Sequence, residues 1–341
     1  MKIDINKKKV YIIAEIGHNH QGNIETAFEL FKQAKLAGAD AVKLQKRDNK
    51  NLYTKSFYNE KYDHENSYGK TYGEHREFLE FGVSEYKELI NFAKEIKIDF
   101  FSTPFDFNSV DFLEKLDMPA YKIASADLTN IPLQKKIAET KKQIFLSTGG
   151  GTLNDVKRAK DNILSLNKNL AILHCTASYP AKIEEMNLSV LETYSKEFPN
   201  IKLGLSDHEN GIDAGPLAYM LGARVFEKHF TLDRSKKGTD HSFSLEPQGL
   251  TKFVRNIHRI EKMLGSSKKR LLDSEKKPLF KMRKSIVAKY DIEKDTILKA
   301  DHLEFKSPGE GLEPYKIDEV IGKKLIKDIS KEDFILFKDL E

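Results

Sequence analysis

A single cysteine, Cys175, stands among 341 residues, so no intrachain disulfide can form, and a reducing cytoplasm is the expected compartment. Tryptophan is absent; together with the wealth of Lys, Asn and Ile this reads as a compositional bias of the genome, from which no function follows. No apolar stretch approaches the ~20 residues that a membrane-spanning helix needs, so no membrane partner is expected. The N-terminal stretch MKIDINKKKVYIIAEIG starts basic, but its apolar run is short, ends in Glu15 and precedes no small-residue cleavage site, so no secretory leader is expected. An excess of one charge is also lacking. The chain carries 57 basic and 52 acidic residues, a net +5, with the lysines scattered among acids rather than gathered in a block. Nucleic acid is therefore not an expected partner, although a local cationic pocket for an acidic small substrate is compatible with this balance. The run STGGGT (147–152) has no Lys-Ser or Lys-Thr behind it and is a weak match to a P-loop. It reads better as a barrel loop whose amides can approach an anion closely.

Against these absences, 39% hydrophobic and 32% charged residues describe a soluble globular chain. Eight short apolar, β-rich runs recur at 10–17, 40–45, 99–104, 120–125, 143–148, 170–176, 203–208 and 224–230. Most are separated by segments such as 23–39 and 84–98, where apolar residues repeat at three- and four-residue spacing, the signal of an amphipathic helix. Strand alternating with helix implies parallel βαβ units, and eight of them over about 270 residues fit a closed (β/α)8 barrel better than an open sheet. The polar stretch 46–83, rich in Tyr, His and Glu, reads as a long loop suited to covering an active site. Domains are expected at 1–265 for the barrel, 266–284 for a basic linker and 285–341 for a small module of short β-like runs.

In a barrel of this kind the C-terminal strand ends build the site. Here every strand ends in chemically capable residues: Glu15, Lys43 with Gln45, Ser102 with Thr103, Lys122 with Ser125, Ser147 with Thr148, His174 with Thr176, Ser206 with His208, and Glu227 with His229. Two ammonium groups with hydroxyls and loop amides suit a ligand that bears a carboxylate and a phosphate. The plainer alternative pairs Lys43 and Lys122 with acids. His208 and His229 close neighbouring strands and are able to share one divalent metal; the plainer reading has them only hydrogen-bonded. His174 reads as structural. Cys175, next to it, is expected to face the helix layer as a buried small hydrophobe.

The stretches AEIGHNHQG (14–22), GADAVKLQ (38–45), FFSTPFD (100–106), PAYKIASAD (119–127), LSTGG (146–150), LHCTASYP (173–180), GLSDH (204–208), FEKHFT (226–231) and GTDHSFSL (238–245) resemble the N-acetylneuraminate (sialic acid) synthase family. The tail, with FKSPGEGL (305–312) and IGKKLIKDI (321–329), resembles its C-terminal antifreeze-like (SAF) domain, and the likeness covers almost the whole chain in one order. The same pattern serves sialic, legionaminic and pseudaminic acid synthases. The resemblance implies a barrel plus SAF module in a domain-exchanged homodimer. It implies condensation of phosphoenolpyruvate (PEP) with an open-chain aldose such as N-acetylmannosamine, with release of phosphate, and a divalent metal, usually manganese, with magnesium or cobalt as alternatives. By matching position it implies PEP binding at Lys43, Thr103, Lys122, Ser125, Ser147 and Ser206, and metal binding at His208 and His229. It implies sugar contacts at Gln45, Asp127, Tyr179 and Asp240, and a catalytic-site carboxylate at Glu15. Three positions depart from the family pattern: Asp127 where Glu is frequent, Ala177 where some members place Asn, and Ser307 where the tail motif usually has an Arg that reaches the partner's sugar site. The last removes a cation and a fork of donors, so an acceptor differing from N-acetylmannosamine near its N-acyl carbon is expected; the plainer alternative is that water fills the gap and the acceptor is unchanged.

The expected reaction joins C3 of PEP to the aldehyde carbon, adds water at C2 and expels phosphate, with His208 and His229 holding the metal that polarises the aldehyde and Glu15 handling a proton or orienting water. Glu15 has a plainer role as an anchor for sugar hydroxyls. Three rivals stand beside this reading. One is a PEP-dependent synthase that takes a phosphorylated sugar or a non-acylated hexose, which an arginine-rich second phosphate site would favour; Arg47 and Arg76 in the long loop are the nearby arginines. Another is an aldolase working through a Schiff-base lysine, and the third is a non-catalytic sugar-binding barrel.

Overall fold

The computed structural model describes residues 3–341. Eight parallel strands close into a barrel in sequence order: β1 (Tyr11–Gly17), β2 (Ala41–Lys46), β3 (Asp99–Pro104), β4 (Ala120–Ile123), β5 (Gln143–Ser147), β6 (Leu170–Cys175), β7 (Lys202–Asp207) and β8 (Val225–His229). Each overlaps a run read from the sequence. Helices α1 (Ile24–Leu36), α5 (Val83–Glu95), α6 (Phe107–Lys115), α7 (Ile131–Glu139), α8 (Leu153–Leu166), α9 (Val190–Glu197), α10 (Ala214–Met220) and α11 (Pro247–Leu264) return the chain from one strand to the next and close the last turn. Three short helices, α2 (Asn49–Leu52), α3 (Lys55–Tyr58) and α4 (Tyr72–Phe78), structure the long segment after β2 that the sequence suggested as a loop. Side-chain caps define several starts: Asn23, Asp106, Asn130 and Thr152 each accept from a backbone N–H in the first turn of their helix. Each such cap contributes about 1 kcal/mol.

The strands are buried on both faces, so alternate residues feed two cores. Outward residues such as Ile12, Val42 and Ile144 pack against the helices. Inward residues Tyr11, Ile13, Ala41, Phe101, Phe145, Leu173 and Val225 fill the barrel floor, with Ile3 and Ile5 below them. Phe145 stacks on both Phe101 and Tyr11, with ring centroids 5.1 and 5.8 Å apart. The floor is so full that a Cβ at Gly204 would stand 2.4 Å from the Val225 carbonyl oxygen, so only glycine fits there. Side chains large enough to fill the floor leave no channel, and the inward positions one layer higher are polar. That change of layer is what opens a site.

The residues from Gly265 onward form a second compact unit. The stretch expected as a linker contains helix α12 (Asp273–Met282). Strands β9 (Ser285–Ala288) and β10 (Leu303–Lys306) pair antiparallel, helix α13 (Ile317–Val320) follows, and Ile286, Leu298, Val320, Leu325 and Ile335 form a core of their own. Ser307 is exposed at the end of β10; its hydroxyl accepts from Lys284 Nζ at 2.6 Å and donates to the Met282 carbonyl at 3.3 Å. An ammonium thus stands beside the position where an arginine was missed.

Candidate active site

Strand register sets which residues share the polar layer. Glu15 pairs with Lys43 on one side and His229 on the other, and Ser206 pairs with Cys175 and Glu227. Paired residues of parallel neighbours point the same way, so these side chains converge on the barrel axis. With Thr103, Lys122, Ser125, Ser147 and His208 they line a cavity of about 720 Å³.

Two lysines and two glutamates form its base. Lys43 Nζ lies 2.7 Å from Glu15 Oε2, 3.8 Å from Glu227 Oε2 and donates to Thr103 Oγ1 at 2.9 Å. Lys122 Nζ donates to Ser147 Oγ at 2.5 Å and lies 3.4 Å from Glu227 Oε1, which also accepts from Ser206 Oγ at 3.1 Å. Both lysines are therefore paired with acids, as the plainer reading has it, and both also line the cavity. Burial alone would raise the carboxyl of Glu227, but Lys122, Lys43 and His229 outweigh it and hold it down to about 2. Burial pushes the Lys122 ammonium below its ordinary range, with Glu227 opposing. Glu227 bridges both lysines, and reading the strand end alone did not assign it a role. Its signal was there: a carboxylate two residues before a strand-end histidine, on the same face.

The glycine loop lies beside this base. Gly149 N donates to Ser125 Oγ at 3.0 Å, and a Cβ at Gly149 would meet Ser125 Oγ and the Ala177 Cβ at 2.8 Å. The loop's close approach to the cavity therefore depends on glycine, as its sequence suggested.

His208 and His229 lie with ring centroids 5.3 Å apart. The Thr176 carbonyl can only accept, so His208 Nδ1, 2.8 Å away, is the protonated nitrogen and Nε2 keeps its lone pair. Burial and the neighbouring His229 lower His208 to about 3, so it is neutral near pH 7. His229 Nδ1 is buried without a hydrogen-bond partner and lies 3.6 Å from Asp240 Oδ2. A neutral His208 beside the orphaned nitrogen of His229 suits a divalent metal of intermediate softness. Among the described residues no group of three or more His, Cys, Asp or Glu side chains is arranged around such an ion, so further ligands would come from water or substrate. On the outer face, Lys228 Nζ pairs with Asp207 Oδ2 at 2.7 Å, both fully buried, and ties together the strand ends that carry the two histidines.

The remaining expected residues divide. Gln45 donates to Glu15 Oε1 at 2.7 Å and lines the cavity. Tyr179 lies over His208, centroids 4.1 Å apart, and Asp240 lies near His229; both line the cavity. Asp127 does not line it. Its carboxylate accepts from Asn130 Nδ2 at 2.9 Å, and the geometry gives its expected sugar contact no support. The expectation for Cys175 was reversed: it points inward, accepts from Ser125 Oγ at 3.4 Å and lines the cavity. His174 takes the helix-facing side, with Nε2 2.7 Å from the Met186 carbonyl. Two residues named from the sequence only as the nearby arginines, Arg47 and Arg76, also reach the cavity wall.

Known proteins share this plan. The human N-acetylneuraminate-9-phosphate synthase is 39% identical over 96% of this chain and 91% of its own length. The N,N'-diacetyllegionaminic acid synthase of Campylobacter jejuni is 39% identical over 96% of this chain and 99% of its own. The solved N-acetylneuraminic acid synthetase of Leptospira borgpetersenii superposes with a TM-score of 0.68 at 31% identity, covering 80% of this chain and 90% of that one. The SAF domain pattern matches residues 283–341. With the NeuB family pattern matching residues 30–269 and these relatives matching nearly end to end, the chain belongs to the NeuB family.

Proposed function

We propose that this protein is a PEP-dependent synthase of nonulosonic acids, joining PEP to an open-chain aldose with release of phosphate. The observation that carries this reading is the polar layer over a closed floor. Lys43 and Lys122 stand with Thr103, Ser125, Ser147 and Ser206 around one cavity, beside two buried histidines. The ammonium groups and hydroxyls hold the carboxylate and phosphate of PEP so that C3 faces the aldehyde carbon. A C–C bond forms between them, water adds at C2, and the resulting tetrahedral carbon expels phosphate. Glu15, fixed by Lys43 and Gln45, is placed to orient that water or take its proton. His208 and His229 would hold a divalent metal, manganese in this reading, which when bound supplies Lewis-acid polarisation of the aldehyde.

The test is phosphate release from PEP against a panel of aldoses, with mass spectrometry of the product. A product equal to aldose plus PEP and water minus phosphate is expected. A borohydride-trapped lysine adduct with pyruvate would replace this reading by the Schiff-base one. Chelation is expected to abolish turnover and manganese to restore it; full activity of both His208→Ala and His229→Ala after exhaustive chelation would remove the metal assignment. We extend the reading to a homodimer working in the cytoplasm, as the resemblance and the lone cysteine suggest. Light scattering near twice the 39.1 kDa chain mass is the expected result. The relatives' names include both a phosphorylated and an unphosphorylated product, so they leave the acceptor open.

A further inference from the structure

The outer face of β7 and β8 is apolar except at one place. Leu203 and Leu205 on β7, and Phe226 on β8 with Phe230 just beyond it, pack into the core under the helices. Asp207 and Lys228 continue these two rows, stand directly opposite each other in the register and are fully buried. An ammonium and a carboxylate in an apolar layer are expensive. Their desolvation rivals their attraction, and well-packed apolar side chains of similar size often serve a fold as well or better. Packing alone therefore does not call for charge here.

The hydrogen bonds show what the charges do. Lys228 Nζ donates to Asp207 Oδ2 at 2.7 Å and to the Glu209 carbonyl, and lies 3.9 Å from Glu209 Oε2, a buried oxygen with no hydrogen bond of its own. Asp207 Oδ1 accepts from Glu209 N at 2.8 Å. The residues on either side of His208 are thus clasped by one ammonium, and that ammonium belongs to the residue just before His229. The clasp extends to a third strand end. Ala181 N donates to the His208 carbonyl at 3.0 Å, which docks the loop after β6 that carries Tyr179 over the His208 ring. The two imidazoles are not held alike. His208 is oriented by its own bond to the Thr176 carbonyl, whereas His229 Nδ1 has no hydrogen-bond partner. The place of His229 therefore depends on packing against Phe243, with ring centroids 4.9 Å apart, and on its backbone. Lys228 is the side chain that ties this backbone to the turn carrying His208.

We propose that Lys228, with Asp207 as its counter-charge, is a positioning residue that fixes the spacing of His208 and His229 for a shared divalent cation, and that the barrel does not need the pair in order to fold. This role rests on the metal reading above. Neither residue lines the cavity, so each acts only through the histidine that follows it in the chain.

The experiment uses the full chain, stripped of metal, with Mn2+ alone as the probe. Asp207→Leu combined with Lys228→Met removes both charges together. This double variant is expected to melt at or above the wild-type temperature in the metal-free state. It should bind PEP as the wild type does by calorimetry, because Lys43 and Lys122 are untouched. Its Mn2+ affinity, read from the electron paramagnetic resonance of the free ion, should fall about tenfold to hundredfold, the usual cost of losing a group that orients a metal ligand. Lys228→Arg, which keeps the charge and the donors, should retain part of that affinity. An unchanged Mn2+ affinity in the double variant overturns the positioning role and leaves the metal reading intact. A double variant that fails to fold, or that loses PEP binding in parallel, also overturns it, since the pair would then hold the barrel as a whole. If the wild-type protein takes up no Mn2+, the metal reading falls and takes the positioning role with it.

Discussion

At the base of the cavity each lysine faces a glutamate, whereas one loop outward two arginines face none. The inner cations sit in the closed barrel, where an ammonium without a counter-charge would be strongly destabilising, and Glu15 and Glu227 supply it. Any anionic ligand there must compete with resident carboxylates. The outer cations belong to a long segment after β2, lean on aromatic rings and leave donors free. Inner charge is matched in advance, which keeps the barrel stable and positions groups for chemistry; outer charge is left open.

The hardest way to break this contrast is to delete an inner cation. Lys43→Ala or Lys122→Ala leaves buried carboxylates short of a partner and is expected to lower stability by about 3–5 kcal/mol by denaturant titration. PEP affinity should fall about tenfold to hundredfold. An unchanged PEP KM in both variants would place the PEP site elsewhere. Removing charge together, as in Lys122→Met with Glu227→Met, should recover much of the stability without recovering turnover.

Acid probes the residues behind the cavity through His20, which is fully buried, stacks on Phe81 at 4.1 Å and is lowered by burial to about 3. The unfolded chain takes up its proton near pH 6.5 and the folded one does not, so this residue's effect begins as pH falls below 6.5. The loss at pH 5 is about 2 kcal/mol, and it grows until the folded group titrates. His20→Gln should flatten the melting temperature between pH 7 and 5. Glu227 has the opposite sign. Its lowered carboxyl contributes stability above the unfolded value near 4.3, and that contribution is lost only as pH falls toward about 2.

Glu227→Gln makes the inner half resemble the outer one. With the competing carboxylate gone, inorganic phosphate and PEP should bind a few-fold tighter, about 1 kcal/mol, while turnover drops. Weaker phosphate binding would mean that Glu227 orders the lysines rather than opposing the ligand. Gln45→Ala cuts the hydrogen-bonded link that runs from Arg47 Nη2 through Gln45 to Glu15, and a drop in kcat/KM of about tenfold, near the worth of one hydrogen bond, is expected.

The barrel and the inner half were legible in the sequence because strands alternate with helices and because barrel sites form at strand ends. Lys43, Lys122, Ser147 and His208 were read from that rule alone. Strand parity was legible only where the two faces differ. In β6, Ile172 and Leu173 are equally apolar, so nothing local said whether His174 or Cys175 points inward. The register with β7, which sets Cys175 beside Ser206, decides it. Asp127 stands off the cavity lining for another reason: past the end of β4 the chain turns through a short helical segment, Ser125–Asp127, and periodicity no longer predicts direction. Arg76 lies about thirty residues beyond its strand, and nothing in residue spacing brings it back to the cavity. The capping box at Thr71 marks the start of its helix, but the path of the intervening segment is a tertiary matter.

The inward turn of Cys175 makes the protein its own reporter. It is the sole thiol in the chain, so a small alkylating reagent can add only once, and the added mass needs no mapping. The thiol is buried and its pKa is raised by that burial, so labelling should be slow near neutral pH and quicken as the solution becomes alkaline. Because the thiol shares the cavity wall with Lys122, Ser125 and His208, a bound ligand would shield it. The labelling half-life read against PEP concentration would then give a dissociation constant before any acceptor sugar has been found.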